Sequence, residues 1–376
     1  MRLAVVGDCH GQYNNDDNLA LTALAPDAAL FVGDYGNEDV LTVKSIARLH
    51  GTLPIATIFG NHDAWDLSRK IGNKARKEAK KRRRNGGSAA STEEADSEQT
   101  VAPGAQPRLG FMKEYNAVRE QHALLLDSNV GWGRLDFGEY GLPLSVVGSR
   151  PFSSGGSSLD SNAEFYRELW GVRGVDHSAH LIAEAIESAP PADECALVVL
   201  AHNGPRGLGG GRASICGKDW GRSSEEADEA YDWGDEDLGR ALQMLRSADG
   251  SSGSAATPAR SPPLVVFGHM HEALQGGGRR EMIAWQSDQQ TDQQTLYVNA
   301  AVVPRWREAA AGGIERAFTL VELEEVATSV GGWLPTRVEL VWALPSGEVG
   351  ESHLLWGDER KGSQTSAAPV EDESAL

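Results

Sequence analysis

Three cysteines in 376 residues are too few, and odd in number, for a disulfide framework. Cys9, Cys195 and Cys216 share no repeating spacing, which points to a reducing compartment. No apolar run approaches the length that spans a bilayer. The first residues, MRLAVVGDCH, read as a buried strand and not as a charged segment followed by a cleavage site, so no secretory signal is expected. Apolar residues make up only 40% of the chain, a little low for a globular protein, so part of it is expected to stay unpacked. Positive charge is scarce too: 35 Lys and Arg against 54 Asp and Glu leave a formal net charge of -19. Such a surface repels nucleic acid and anionic membranes on average. An anionic substrate would need a locally positive site.

Three segments have the composition of unpacked chain: an insert at about 70–107, a low-complexity loop at about 247–263, and the tail 358–376. All are rich in Ser, Ala, Gly and charge, and cannot offset their ordering entropy by burial. The insert opens with the basic run RKIGNKARKEAKKRRR. That run can be read as a nuclear address, a nucleic-acid patch or a solvated helix leading into disorder. The tract QSDQQTDQQ, residues 286–294, reads as a hairpin loop. The expectation is one domain over residues 1–345, interrupted by the first two segments.

Between these segments, LAVVGD, ALFVGDYG, IATIFGNHD, LSVVGSRP, ALVVLAHNG and LVVFGHMH share one grammar. Each is a β-branched apolar run closed by a small residue and then polar ones. Helical patterns such as DNLALTALA, VLTVKSIARLH and SAHLIAEAIESA fall among them. Strands alternating with helices argue for an α/β fold. Later runs, LYVNAAVVPRW, AFTLVELEEV and RVELVWAL, read as strands that extend or face the first sheet.

In open α/β sheets, ligands bind beyond the carboxyl ends of strands. Five strand ends here carry metal-ligand side chains: Asp8 and His10, Asp34, Asn61 and His62, His202, and His269 and His271. In extended backbone, residues two apart share a side, so the D-x-H and H-x-H pairs could each serve one ion or flank a pair. Two carboxylates, one amide oxygen and four imidazoles, with His62 left over, are too many for one ion with an open position. They suit two ions about 3.5–4 Å apart bridged by a carboxylate. Mixed imidazole and oxygen donors favour Mn, Fe or Zn over Mg or Ca.

GDCHG, GDYGNE, GNHD, AHNGP and GHMH occur in this order, and the chain thereby resembles the calcineurin-like metallophosphoesterase superfamily. GDYGNE, AHNGPRGLG and ICGKDW resemble more narrowly an uncharacterised branch met in cyanobacteria and photosynthetic eukaryotes. The resemblance implies an α/β sandwich of two facing mixed sheets flanked by helices, in four layers. It implies that Asp8, His10 and His271 bind one metal, that Asn61, His202 and His269 bind the other, and that Asp34 bridges them. His62 would be the catalytic acid or hydrogen-bond donor at the phosphate. The implied reaction is phosphoester hydrolysis by a metal-bridging hydroxide, on a small phosphomonoester or nucleotide-like molecule.

Alternatives are a phosphodiesterase or nuclease, which the net acidity disfavours, and a non-catalytic metal-binding scaffold. No membrane partner is expected, and no protein partner can be named. The expected location is soluble and intracellular, either cytoplasm or, from the narrower resemblance, plastid stroma.

Two points depart from relatives such as the Ser/Thr protein phosphatases. Where those carry G-D-x-x-D, whose last Asp orients the catalytic His, this chain has Asn37. Glu38, Asp39 or Asp63 could substitute, and Asp63 could equally cap the following helix. The Arg-Gly that follows is absent as well. Arg150 and Arg206 are candidates to clamp substrate oxygens. Cys9, between two ligands, is expected to point into the core and stay inert.

Overall fold

The computed structural model describes residues 1–84, 116–221, 228–247, 261–287, 293–310, 312–326 and 332–357. The first part of the chain runs β1 (Arg2–Val6), α1 (Asn15–Leu24), β2 (Ala28–Phe31), α2 (Val40–Ala47), β3 (Ile55–Thr57), α3 (Trp65–Arg84) and α4 (Asn116–Leu124). It continues with β4 (Arg134–Asp136), β5 (Leu144–Gly148), α5 (Ser158–Ser161), α6 (Ala163–Trp170), α7 (Val175–Glu187), β6 (Ala196–Leu200), α8 (Glu236–Ser247) and β7 (Leu264–Phe267). The last part is all strand: β8 (Ile283–Ser287), β9 (Gln294–Asn299), β10 (Trp306–Glu308), β11 (Ile314–Glu325), β12 (Trp333–Ala343) and β13 (Val349–Gly357).

Among the described residues these strands form two mixed sheets. One runs β13-β12-β11-β1-β2-β3, with β10 beside β11; the other runs β4-β5-β6-β7-β9-β8. In the first, β1, β2 and β3 are parallel and β11 joins β1 antiparallel. In the second, β5, β6, β7 and β9 are parallel.

The near-continuous apolar runs are explained by burial on both faces. Leu3, Val5 and Leu30 of one sheet meet Val146, Val198 and Val266 of the other in an inner core. The alternate residues Ala4, Val6 and Phe31, with Val147, Val199 and Val265, turn outward to the helices. Helix, sheet, sheet and helix are thus the four expected layers. Local signals start the helices: Asn14 and Asp17 form a capping box on α1, and Asp39 caps α2 through the Leu41 N–H.

The late strands divide between the sheets. β11 and β12 extend the first sheet, whereas β9 joins the second. β8 and β9 pair antiparallel on either side of the polar tract, as a hairpin requires. The chain stays in the first sheet beyond residue 345, because β13 pairs with β12. Its residues are mostly exposed, so β13 has none of the apolar signature of a buried strand.

The basic run is helical as far as Arg84. Residues 85–107 of the anticipated insert, 248–260 of the anticipated loop and the tail 358–376 lie outside the described residues. Among the described residues, no helix is long and apolar enough to cross a membrane.

Candidate metal centre

The parallel strands of both sheets end at one rim, and every candidate ligand lies in a turn just past a strand end. The turns are tight. His10, Asp34 and His269 have φ of 43°, 51° and 66°, left-handed values that are costly for side chains with a Cβ. Backbone hydrogen bonds hold them there. The His10 N–H donates to the Asp34 carbonyl (2.7 Å), and the His269 N–H donates to both Asp8 carboxylate oxygens (3.0 Å each). Two glycines let the turns approach. A Cβ on Gly60 or on Gly268 would lie 2.2 Å from a carboxylate oxygen, of Asp34 and of Asp8 respectively.

The ligands gather in two overlapping groups. In the first, His271 Nε2 lies 3.3 Å from Asp8 Oδ2 and 3.0 Å from His10 Nε2. In the second, His202 Nε2 lies 3.4 Å from Asp34 Oδ1 and 3.1 Å from Asn61 Oδ1, and His269 completes the cluster. Asp34 reaches towards both, since its Oδ2 is 3.8 Å from His10 Nε2. His10, Asp34 and His62 form a third group of the same compactness.

Extended-strand alternation does not account for these pairs. Asp8 and His10 serve one cluster while His269 and His271 divide between two, because the left-handed residues turn the chain between them.

The donor set fits cations. His202 Nδ1 donates to the Val32 carbonyl at 2.7 Å, which turns its Nε2 towards a carboxylate oxygen. His269 Nε2 is buried with no hydrogen-bond partner. A buried ring nitrogen without a partner, set among clustered carboxylates and imidazoles, is unfavourable unless a cation joins them. Burial, then the nearby His202, pushes His269 down to about 3, so its ring is neutral and can ligate. Burial likewise lowers His10. For Asp8, burial acts upward, but the His271 hydrogen bond and the charges of His202, His271 and His10 outweigh it and hold the carboxyl well below its ordinary range. For His271, burial acts downward and is outweighed by Asp8 and Asp34, which raise the ring.

His62 stands at the rim. Its N–H donates to Asp34 Oδ1 at 2.8 Å, and its Nδ1 lies 2.5 Å from Asn37 Oδ1. The ring stacks on Trp65, with centroids 5.0 Å apart and planes 8° off parallel. Asn37 therefore holds the ring. None of the three alternative carboxylates does: Glu38 accepts from the Leu67 N–H, Asp39 caps α2, and Asp63 accepts from the Gly60 and Tyr35 N–H groups at 2.7 Å each. Asp63 thus ties the turn after β2 to the turn after β3. Burial, then the neighbouring Asp34, raises its carboxyl well above the ordinary range. Cys9 is buried, and burial pushes its thiol up, as an inert core residue requires.

The two arginines lie outside the cleft over this centre. Arg150 is 1% exposed and its guanidinium is engaged by Asp235 (2.7 Å), Asp237 (2.9 Å), Tyr166 and Ser158. The end of a central strand, which suggested a substrate contact, instead delivers it to a buried ion network. Arg206 is exposed and lies 3.7 Å from Glu229.

A cleft of about 490 Å³ opens over His10, Asp34, His62, His269 and His271. Its walls include Trp65, Asp219, Trp220, Gln275 and Arg280. Trp65 escaped the sequence reading, although its position three residues after His62 at a helix start places the two side chains on one face. Asp219 and Trp220 belong to ICGKDW, whereas Gln275 and Arg280 carry no sequence signal, because loop packing alone brings them to the cleft.

A family model, calcineurin-like phosphoesterase, matches residues 1–273. The chain belongs to that family. It is accordingly a metal-dependent phosphoesterase, and its His and Asp clusters are candidate sites for the metals that such enzymes use. Among solved structures, the crystal structure of TT1561 of Thermus thermophilus is 11% identical to this phosphoesterase. The likeness covers 84% of this chain and 92% of that one, at a TM-score of 0.37. A second crystal structure, 9% identical, covers 85% of this chain and 94% of its own, also at 0.37. Likenesses at this level say nothing of substrate. No curated protein matches the phosphoesterase.

Proposed function

We propose that the enzyme hydrolyses a small phosphomonoester or nucleotide-like substrate at a dinuclear centre. One observation carries the reading: candidate ligand atoms from five strand ends converge beside an imidazole held at the mouth of the cleft. Asp8, His10 and His271 would hold one ion, and Asn61, His202 and His269 the other, with Asp34 shared. The mixture of imidazole and oxygen donors favours Mn, Fe or Zn. What such ions supply when bound is positive charge that polarises a phosphoryl oxygen and acidifies water.

The chain's own residues do the rest. Asn37 and the Trp65 stack fix the His62 ring, so that its Nε2 can hold or give a proton at the leaving oxygen. A cleft of about 490 Å³ suits a small ester. Within the family, GDYGNE, AHNGPRGLG and ICGKDW support placing the enzyme in the uncharacterised branch met in cyanobacteria and photosynthetic eukaryotes.

The test is reconstitution with Mn, Fe or Zn, elemental analysis, and assay of p-nitrophenyl phosphate beside bis-p-nitrophenyl phosphate. The monoester should be preferred. His62→Ala should lose about a hundredfold or more in turnover while keeping two ions per chain. Asp34→Asn should lose both. Protein that takes up no transition metal would overturn the reading, and full turnover by His62→Ala would overturn the role of His62.

A further inference from the structure

The walls of the cleft narrow the substrate further, given the hydrolysis proposed above. Among the described residues that line it, Arg280 is the only Lys or Arg, and it is already committed. Its Nε donates to the His271 carbonyl (3.0 Å), its Nη1 donates to the Ser214 (2.8 Å) and Gly217 carbonyls, and its Nη2 faces Asp219 at 3.5 Å. It is 4% exposed and each of its three nitrogens faces a protein acceptor, so it braces the ligand loop against the 212–219 loop. Asp219 is spent as well, accepting from the Gln275 N–H at 2.6 Å. Among the described residues, the walls therefore offer no free cation for a second phosphate.

What they do offer is flat aromatic surface. Trp65, from the start of α3, is 40% exposed even though one face stacks on His62. Trp220, from the loop after β6, meets Trp233 edge-on at 5.7 Å, and Lys218 Nζ lies 5.3 Å from its ring centre. Both indoles are thus held in place by neighbours, with surface left towards the cleft. Preorganised indoles bind planar rings at little ordering cost.

We infer that the cleft selects a phosphate ester with one phosphate and a flat aromatic group in its leaving alcohol, such as a nucleoside monophosphate, stacked against Trp65 and Trp220. Sugar phosphates lack the ring, and nucleoside diphosphates bring a charge that none of the described wall residues receives.

The test compares two monophosphates that share a leaving 5′-alkoxide, and a diphosphate whose terminal phosphate departs from a phosphate oxygen. On the metal-loaded enzyme, kcat/KM for adenosine 5′-monophosphate should exceed that for ribose 5-phosphate about tenfold or more, and should exceed that for adenosine 5′-diphosphate. Trp220→Ala should bring the adenosine-to-ribose ratio within about threefold of one, mainly through KM, and Trp220→Phe should keep most of it. A second readout needs no turnover: adenosine should quench the tryptophan fluorescence of metal-free protein saturably, and the Trp65→Ala/Trp220→Ala variant should lose that quench. Equal hydrolysis of both monophosphates, or a ratio unmoved by Trp220→Ala, would overturn this inference and leave the phosphoesterase reading intact. Hydrolysis of no phosphate ester at all would overturn that reading, and this one with it.

Discussion

Arg150 separates a structural from a substrate-binding role most cleanly. Among the described residues its guanidinium is the counter-charge paired with two buried carboxylates, Asp235 and Asp237, and it also donates to Tyr166 and Ser158. Arg150→Met would leave both carboxylates stranded. Stranding a buried charge costs about 3–5 kcal/mol. In a chain of this size each kcal/mol moves the melting temperature by roughly 1–2 °C, so a fall of about 5 °C is expected.

The penalty has a direction in pH. Burial chiefly, with Asp237 adding and Arg150 opposing, lifts the Asp235 carboxyl from 3.8 to about 6. A carboxyl raised by folding gives its full contribution below the unfolded value and loses it as pH rises through the folded one. The variant should therefore suffer more at pH 8 than at pH 5. Adding Asp235→Asn and Asp237→Asn, which removes the stranded charges, should recover most of the loss. Thermal melts at the two pH values and steady-state kinetics together make the assay. An unchanged melting temperature with a raised KM would refute the reasoning and make Arg150 a substrate clamp.

Two further outcomes are expected. Asn37→Ala removes the acceptor at His62 Nδ1, so kcat should fall about tenfold to a hundredfold while metal content and the melting temperature hold; unchanged kcat would show that the Trp65 stack alone orients the ring. His122, packed against Phe59, Phe152 and Trp170 with neither ring nitrogen partnered, is pushed by burial from 6.5 down to about 3. A base lowered by folding contributes its stability in full above pH 6.5 and loses it as pH falls towards 3, at up to roughly 1.4 kcal/mol per pH unit. His122→Leu should flatten that dependence, read as the change in urea midpoint between pH 7 and pH 5; parallel losses in both proteins would count against it.

The parts of the fold that could be read in advance are the parts where burial acts on both faces of a short segment. β1, β2, β3, β5, β6 and β7 are unbroken apolar runs because inner and outer cores both claim their residues. β13 is exposed along most of its length, and β8 is only partly buried. Their pairing partners alone make them strands, so composition is silent about them. The same contrast holds in the site. Asp8, His10, Asp34, Asn61, His202, His269 and His271 could be picked out because each follows a recognisable strand, and strand ends are where an α/β sheet presents ligands. Arg150 follows such a strand too, and the same rule misplaced it, because position along a strand does not tell which way a long side chain turns.

By itself, then, the order of residues determined which chemical groups stand at the strand ends, and so the metal-dependent class of reaction. It also determined the alternation of strand and helix that stacks two sheets. Only the tertiary structure decided that Asn37, and none of three nearby carboxylates, holds His62, and that Arg280 is consumed by carbonyls while two indoles line the cleft. The physical reason is range. Strand-end chemistry follows from local backbone geometry and burial, which a segment carries within itself. The partner of a side chain depends on loops folded from residues far apart, such as His62 with Asn37 and Arg280 with Gly217.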